Sequence, residues 1–126
     1  MNTTRPRVLI ADDDGFFRKL LGLVAASLNY EIVGEAADGR EALAQFQALR
    51  PDMLWLDQNM PELNGDEVLK QIIAAYPGAF VIMLTGDDSP LEHQQHLQNG
   101  ARQCVVKGSP DAMGGQISTT WQQQAP

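Results

Sequence analysis

The sequence predicts an α/β fold: a parallel β-sheet with helices packed on both faces. Two observations carry that expectation. Short aliphatic or β-branched runs recur at Val8 to Ala11, Ile32 to Gly34, Met53 to Leu56, Phe80 to Leu84 and Cys104 to Val106, each of the length of a buried strand. Stretches with helical spacing or helix-start chemistry separate and follow them. Strand and helix alternate five times, and parallel neighbours need a crossover connection, which is right-handed.

Taken in order, the first helix is marked by Phe17, Leu20, Leu21, Val24 and Leu28, which fall on one face at a 3.6-residue period. Ala42, Leu43, Phe46 and Leu49 mark the second, and Val68, Leu69, Ile72 and Ile73 the third. Ser89 followed by Pro90 reads as the cap and first residue of a fourth helix, whose apolar anchors are only Leu91 and Leu97, so thin burial is expected. The fifth starts at Ser109 and Pro110 and places Met113, Ile117 and Trp121 four residues apart. Gly114 and Gly115 each cost about 1 kcal/mol of helix propensity, which makes it the weakest of the five. Trp55, in mid-strand, is expected in the core. His93 and His96, on the polar fourth helix, are expected on a solvated face.

The chain has 126 residues, 44% of them apolar, which suits one domain with a real core. The expected core covers residues 7–121, with 122–126 either a tail or the start of a linker. Sixteen acidic against nine basic residues give a net charge of -7, which argues against a nucleic-acid surface. No apolar run approaches the roughly 20 residues that span a bilayer, and no signal-peptide pattern opens the chain, so a cytoplasmic location and no membrane partner are expected. Cys104, the sole cysteine, reads as a small core residue.

In an open parallel sheet, ligands bind beyond the carboxyl ends of the strands. The residues there are Asp12, Asp13 and Asp14 after the first run, Asp57 after the third, Thr85, Gly86, Asp87 and Asp88 after the fourth, and Lys107 after the fifth. Carboxylates about 5 Å apart oppose each other by roughly 3 kcal/mol at an effective dielectric near 20, so such a cluster calls for a cation or for protonation. Mg²⁺ suits one or two carboxylates together with a substrate phosphate. Three aspartates standing alone are more often a helix-capping turn, and Asp14 is expected to be such a cap. Pro61 fixes its own torsion in the following loop, and Gly65 opens the next helix where a side chain would crowd the turn.

The segments VLIADDD, LDQNMPELNG, VIMLTGDD and GARQCVVKGSP, in that order, resemble the signature segments of response-regulator receiver domains over essentially residues 7–120. The resemblance implies a flavodoxin-like doubly wound sheet in the order 2-1-3-4-5. It implies a two-component or phosphorelay module that is not a conventional enzyme. Asp57 is then the phosphoacceptor, Lys107 and Thr85 grip the phosphoryl oxygens, and Asp12, Asp13, Asp57 and the Asn59 main-chain carbonyl hold Mg²⁺. Implied partners are a sensor histidine kinase or histidine phosphotransfer protein upstream, and a protein target or effector domain downstream. A monomer is expected when unphosphorylated. Asn59 and Asp87, two residues beyond the acceptor and the threonine, resemble the chemotaxis-type pairing and imply a short-lived phosphorylated state. Phe16, beside a Phe17 that already suits the buried stripe, is, if exposed, a candidate docking residue for a phosphotransfer partner.

Three residues depart from the pattern. Cys104 stands where an aromatic is common, which leaves the coupling of Thr85 to the output surface open. Gly108 replaces a proline and should follow a trans bond, and Gly86 replaces an alanine. The alternative from another class is a pseudo-receiver, an interaction module that is never phosphorylated. A hydrolase with an aspartyl-phosphate intermediate normally needs a second acid where Asn59 stands. A nucleotide or flavin binder lacks its glycine-rich turn after the first strand.

Overall fold

A computed structural model describes residues 5–126. Strands and helices alternate as β1 (Arg7–Ala11), α1 (Gly15–Ser27), β2 (Glu31–Ala36), α2 (Gly39–Leu49), β3 (Met53–Asp57), α3 (Gly65–Ala75), β4 (Val81–Thr85), α4 (Pro90–Gln98), β5 (Gln103–Val106) and α5 (Pro110–Gln124). The sheet order is β2-β1-β3-β4-β5 with every pair parallel, as the resemblance implied. The register pairs Ala11 with Leu56, Asp57 with Leu84, and Thr85 with Val106, so the polar strand ends meet along one edge.

Successive side chains on a strand point to opposite faces, and that alternation divides the core in two. Leu9, Leu54, Leu56, Val81 and Met83 face Ala42 and Phe46 of α2 and Val68, Leu69 and Ile72 of α3. Val8, Ile10, Met53, Trp55, Ile82, Leu84 and Val105 face Leu21 and Val24 of α1 and Met113 and Ile117 of α5. Trp55 is fully buried and Cys104 is buried, both as expected. Burial of the Cys104 thiol, with the charges of Glu92 and Asp66 nearby, pushes it up to about 11, so it is inert at neutral pH.

Capping follows the sequence chemistry. The Asp14 carboxylate accepts from the Phe16 and Phe17 amides and starts α1. At α2 the Asp38 carboxylate accepts from the Glu41 amide and the Glu41 carboxylate accepts from the Ala37 amide, while Asn64, Ser89 and Ser109 cap α3, α4 and α5. The two glycines of α5 differ. A Cβ on Gly114 would stand in ordinary contact with Val24 of α1 at 3.4 Å, whereas one on Gly115 would meet open space. No cis peptide occurs among the described residues, so the Lys107–Gly108 bond is trans.

The fourth helix corrects two expectations. Leu91 and Leu97 are 66% and 45% exposed, so neither anchors α4, whereas His96 is only 3% exposed and is its one fully buried residue. Residues six apart on a helix lie about 120° from each other, so two leucines at that spacing cannot share a packing face. The inward face instead runs through Glu92 and His96, one turn apart. His93 is half-buried and its Nε2 lies 3.0 Å from the Asp87 carbonyl oxygen.

A candidate phosphate and cation site at the carboxyl edge of the sheet

β1 lies between β2 and β3, so the chain reverses its winding direction beside it and opens a crevice past the strand ends. Asp12 and Asp13 leave β1 into that crevice, and Asp57 ends β3 beside them. One carboxylate oxygen from each lies within 4.8 Å of the others, the only such group of three metal-ligating side chains among the described residues. Asp12 is fully buried, Asp57 nearly so, and Asp13 exposed.

Lys107 closes the site from β5. Its Nζ is 2.8 Å from Asp12 Oδ2 and 3.3 Å from Asp57 Oδ1, so one ammonium serves two carboxylates. The other Asp12 oxygen accepts from the Asp14 amide at 2.9 Å, and the Asn59 amide donates to Asp57 Oδ1 at 3.3 Å. Thr85, also buried, accepts from the Asp87 amide at 3.1 Å through its hydroxyl, and its carbonyl takes the Lys107 amide at 2.7 Å. The structure therefore brings Asp12, Asp13, Asp57, Thr85 and Lys107 to one end of the sheet. Asn59, with Met60, Pro61 and Asn64, lines a shallow depression next to Asp13.

Two further residues belong to this arrangement that pattern reading assigned only to helix packing or not at all. Phe17 places its ring centroid 4.4 Å from Lys107 Nζ, a cation–π contact that holds the ammonium over the site. Arg18 donates to the Asp12 carbonyl at 2.8 Å and pairs with Glu35, which braces the β1–α1 turn. Both lie in the first turn of α1, and α1 starting directly after the acidic run was the signal available. Phe16, by contrast, is 74% exposed.

Burial pushes the Asp57 carboxyl up to about 6. The Lys107 charge pulls it down and Asp12 pushes it further up, while the Asn59 amide and the Lys107 hydrogen bond lower it. Burial pushes Lys107 down, but its hydrogen bond to Asp12 and the two carboxylate charges outweigh that and leave it above its ordinary value. A carboxyl raised when folded stabilises the fold fully below its unfolded value of 3.8, and that contribution is lost as pH rises through about 6. With metal chelated, the Asp57 contribution to unfolding free energy should therefore fall by on the order of 3 kcal/mol between pH 4 and 7. Urea unfolding of wild type and Asp57→Asn across that range checks this: the variant should lose the decline, and equal slopes would contradict it.

An acidic cluster, a lysine and a buried hydroxyl at the switch point of a doubly wound sheet are a set of groups whose chemistry suits a cation and phosphate oxygens. Comparison with known proteins agrees. The sequence pattern of the response regulator receiver domain matches residues 8–114. The chemotaxis protein CheY of Thermotoga maritima is 36% identical over 101 residues, covering 80% of this chain and 84% of that protein. CheY of Listeria monocytogenes is 35% identical with coverage of 80% and 85%. Among solved structures, the CheX-CheY-BeF3-Mg complex of Borrelia burgdorferi matches with a TM-score of 0.85 and 28% identity, covering 93% of this chain and 87% of that one. The response regulator domain of T. maritima CheB matches at 0.84 and 30% identity, with coverage of 95% and 96%.

The chain belongs to the response regulator receiver family, with a CheY-type fold, and is a signalling module of two-component systems rather than a classical enzyme. Receiver domains bind Mg²⁺ at an acidic pocket, and Asp12, Asp13 and Asp57 form an acidic cluster here.

Proposed function

We propose that the whole chain is one receiver domain that accepts a phosphoryl group on Asp57 from a phosphohistidine of a sensor kinase or phosphotransfer protein. The observation that supports this most is the meeting of Asp12, Asp13 and Asp57 within 4.8 Å under a lysine shared by Asp12 and Asp57. Asp12, Asp13, Asp57 and the Asn59 main-chain carbonyl would hold Mg²⁺, a fit supported by an oxygen-only donor set and by a carboxyl whose ionisation burial opposes when no cation is present. When bound, the cation neutralises charge on the transferred phosphoryl oxygens.

The chain's own residues carry the rest. An ionised Asp57 oxygen attacks phosphorus in line, the P–O bond forms as the P–N bond to the donor imidazole breaks, and the ring takes a proton as it leaves. Lys107 stabilises the equatorial oxygens, held in reach by Phe17, and Thr85 presents its hydroxyl from the end of β4. The product is an acyl phosphate that hydrolyses without a further enzyme.

The output is a downstream protein or an effector domain, and relatives of both sorts exist. The chain spans 84% of the T. maritima CheY but only 28% of the Alkalilimnicola ehrlichii protein-glutamate methylesterase, to which it is 36% identical. Membership of the receiver family supports a cytoplasmic setting, and no helix among the described residues is long and apolar enough to cross a membrane. The test is intact mass after incubation with acetyl phosphate and Mg²⁺. One added phosphoryl group, absent from Asp57→Ala and after chelation, is expected. Wild type that gains none and also fails to bind beryllofluoride is a pseudo-receiver.

A further inference from the structure

Helix α4 is held unlike its neighbours. No large apolar side chain anchors it, and its inward face is polar, with Glu92 and His96 one turn apart. Glu92 Oε1 accepts from Gln58 Nε2 at 3.0 Å. His96 Nδ1 lies 3.1 Å from Asp66 Oδ1. Gln58 directly follows Asp57, and Asp66 directly follows Gly65, so the two contacts grip the two ends of the segment between β3 and α3.

That segment is stiff at both grips. The Gln58 amide donates to the Leu84 carbonyl at 3.0 Å and its carbonyl accepts from the Gly65 amide at 2.9 Å. The Gln58 backbone is thus tied to the end of β4 and to the start of α3, and its side chain reaches α4. A cleft of about 350 Å³ lies between α3 and α4, lined by polar side chains including Gln58, Asp66, Lys70, Glu92, Gln95 and His96. Beneath α4, β5 offers the small Cys104 rather than an aromatic that could wedge the helix.

The arrangement is also under-satisfied. His96 Nε2 is buried without a hydrogen-bond partner, and Asp66 Oδ1, although 3.1 Å from His96 Nδ1, is not aligned with it for a hydrogen bond. Such atoms carry an uncompensated desolvation cost, which a placement of α4 that pairs them would recover. A packed apolar face would not have that property.

We infer that the Gln58–Glu92 and Asp66–His96 contacts are the link through which the state of Asp57 sets the position of α4, with Glu92 and His96 as positioning residues for the acceptor loop. The inference rests on the phosphoacceptor reading. Coupling is reciprocal, so loosening the contacts must also change how the acceptor site responds to its ligand. The link uses residues on α4 and the acceptor loop, and it needs no aromatic at position 104.

The experiment is hydrogen exchange over residues 90–99, with and without beryllofluoride and Mg²⁺, in wild type, Glu92→Ala and Glu92→Gln. Glu92→Ala should exchange about 5-fold faster in the free state, the size expected for one lost hydrogen bond, and should lose the beryllofluoride response of α4. Glu92→Gln, whose amide oxygen still accepts from Gln58, should recover both. Beryllofluoride affinity of Glu92→Ala should shift in the same proportion, which a purely structural role would leave unmoved. If beryllofluoride leaves residues 57–65 of the wild type unchanged, the phosphoacceptor reading and the link fall together. If it acts there normally and α4 responds equally in Glu92→Ala, the link alone is wrong.

Discussion

Lys107→Ala should slow phosphoryl transfer to Asp57 from acetyl phosphate by roughly 100-fold at saturating Mg²⁺, the usual effect of removing one preorganised charge from a transferring group. The structure gives the lysine two functions that this variant separates. In the metal-free protein its ammonium bridges a fully buried Asp12 and the nearly buried Asp57 at 2.8 and 3.3 Å. Removing it leaves the two carboxyls facing each other, and Asp57, already raised to about 6, should rise further because Lys107 is the largest influence holding it down. Metal-free Lys107→Ala should therefore lose about 2 kcal/mol at pH 7, less than a fully buried pair would cost because the lysine is partly exposed. Mg²⁺ should restore the stability, since a cation satisfies the same carboxylates, but not the rate. Urea unfolding and a mass time course read the two functions apart, and a rate within 3-fold of wild type would remove Lys107 from the transfer step. Lys107→Arg should rescue only in part, because a planar fork does not replace a compact ammonium seated over the Phe17 ring.

The polar strand ends were legible in the sequence because an α/β sheet places chemistry at its carboxyl edge, and Asp12, Asp13, Asp57, Thr85 and Lys107 each end an apolar run. The sheet faces were legible for the same kind of reason: Val8, Ile10, Leu9 and Ala11 sort by alternation alone. Strand order came from resemblance, because alternation fixes which residues are buried but not which strands are neighbours. Helix α4 was misread because hydrophobicity finds only apolar contacts, and this helix packs through Glu92 and His96. A histidine on a polar helix carries no mark that its partner, Asp66, waits thirty residues upstream on another element. Phe17 was placed on the buried stripe, and its contact with Lys107 depends on bringing α1 and β5 together, which no local pattern records.

Gly65→Ala should be among the most damaging substitutions of one methyl group in the chain. A Cβ at position 65 would be driven into the Asp57 carbonyl oxygen and would stand 2.9 Å from Gln58 Cα and 3.0 Å from the Asp57 carbonyl carbon. All three are backbone atoms, so no side chain can turn aside to make room. The same backbone is fixed from the other side by the Gln58 amide bonded to Leu84 and by the Gly65 amide bonded to Gln58. Relief must come from parting the start of α3 from the end of β3, which should cost about 3 kcal/mol of stability. Because the displaced residue is Asp57 itself, the folded fraction should also transfer phosphoryl slowly, as a nucleophile misplaced by about 1 Å does. Gly22→Ala is the control. Position 22 lies inside α1 with nothing within 4 Å of the new Cβ, so the methyl group should stabilise by up to about 1 kcal/mol through helix propensity and leave transfer unchanged. Denaturant unfolding gives the first comparison and acetyl-phosphate labelling the second. Equal stability of the two variants would mean that the β3–α3 turn yields far more easily than its hydrogen bonds indicate, and the rigid acceptor loop on which the α4 link depends would be lost with it.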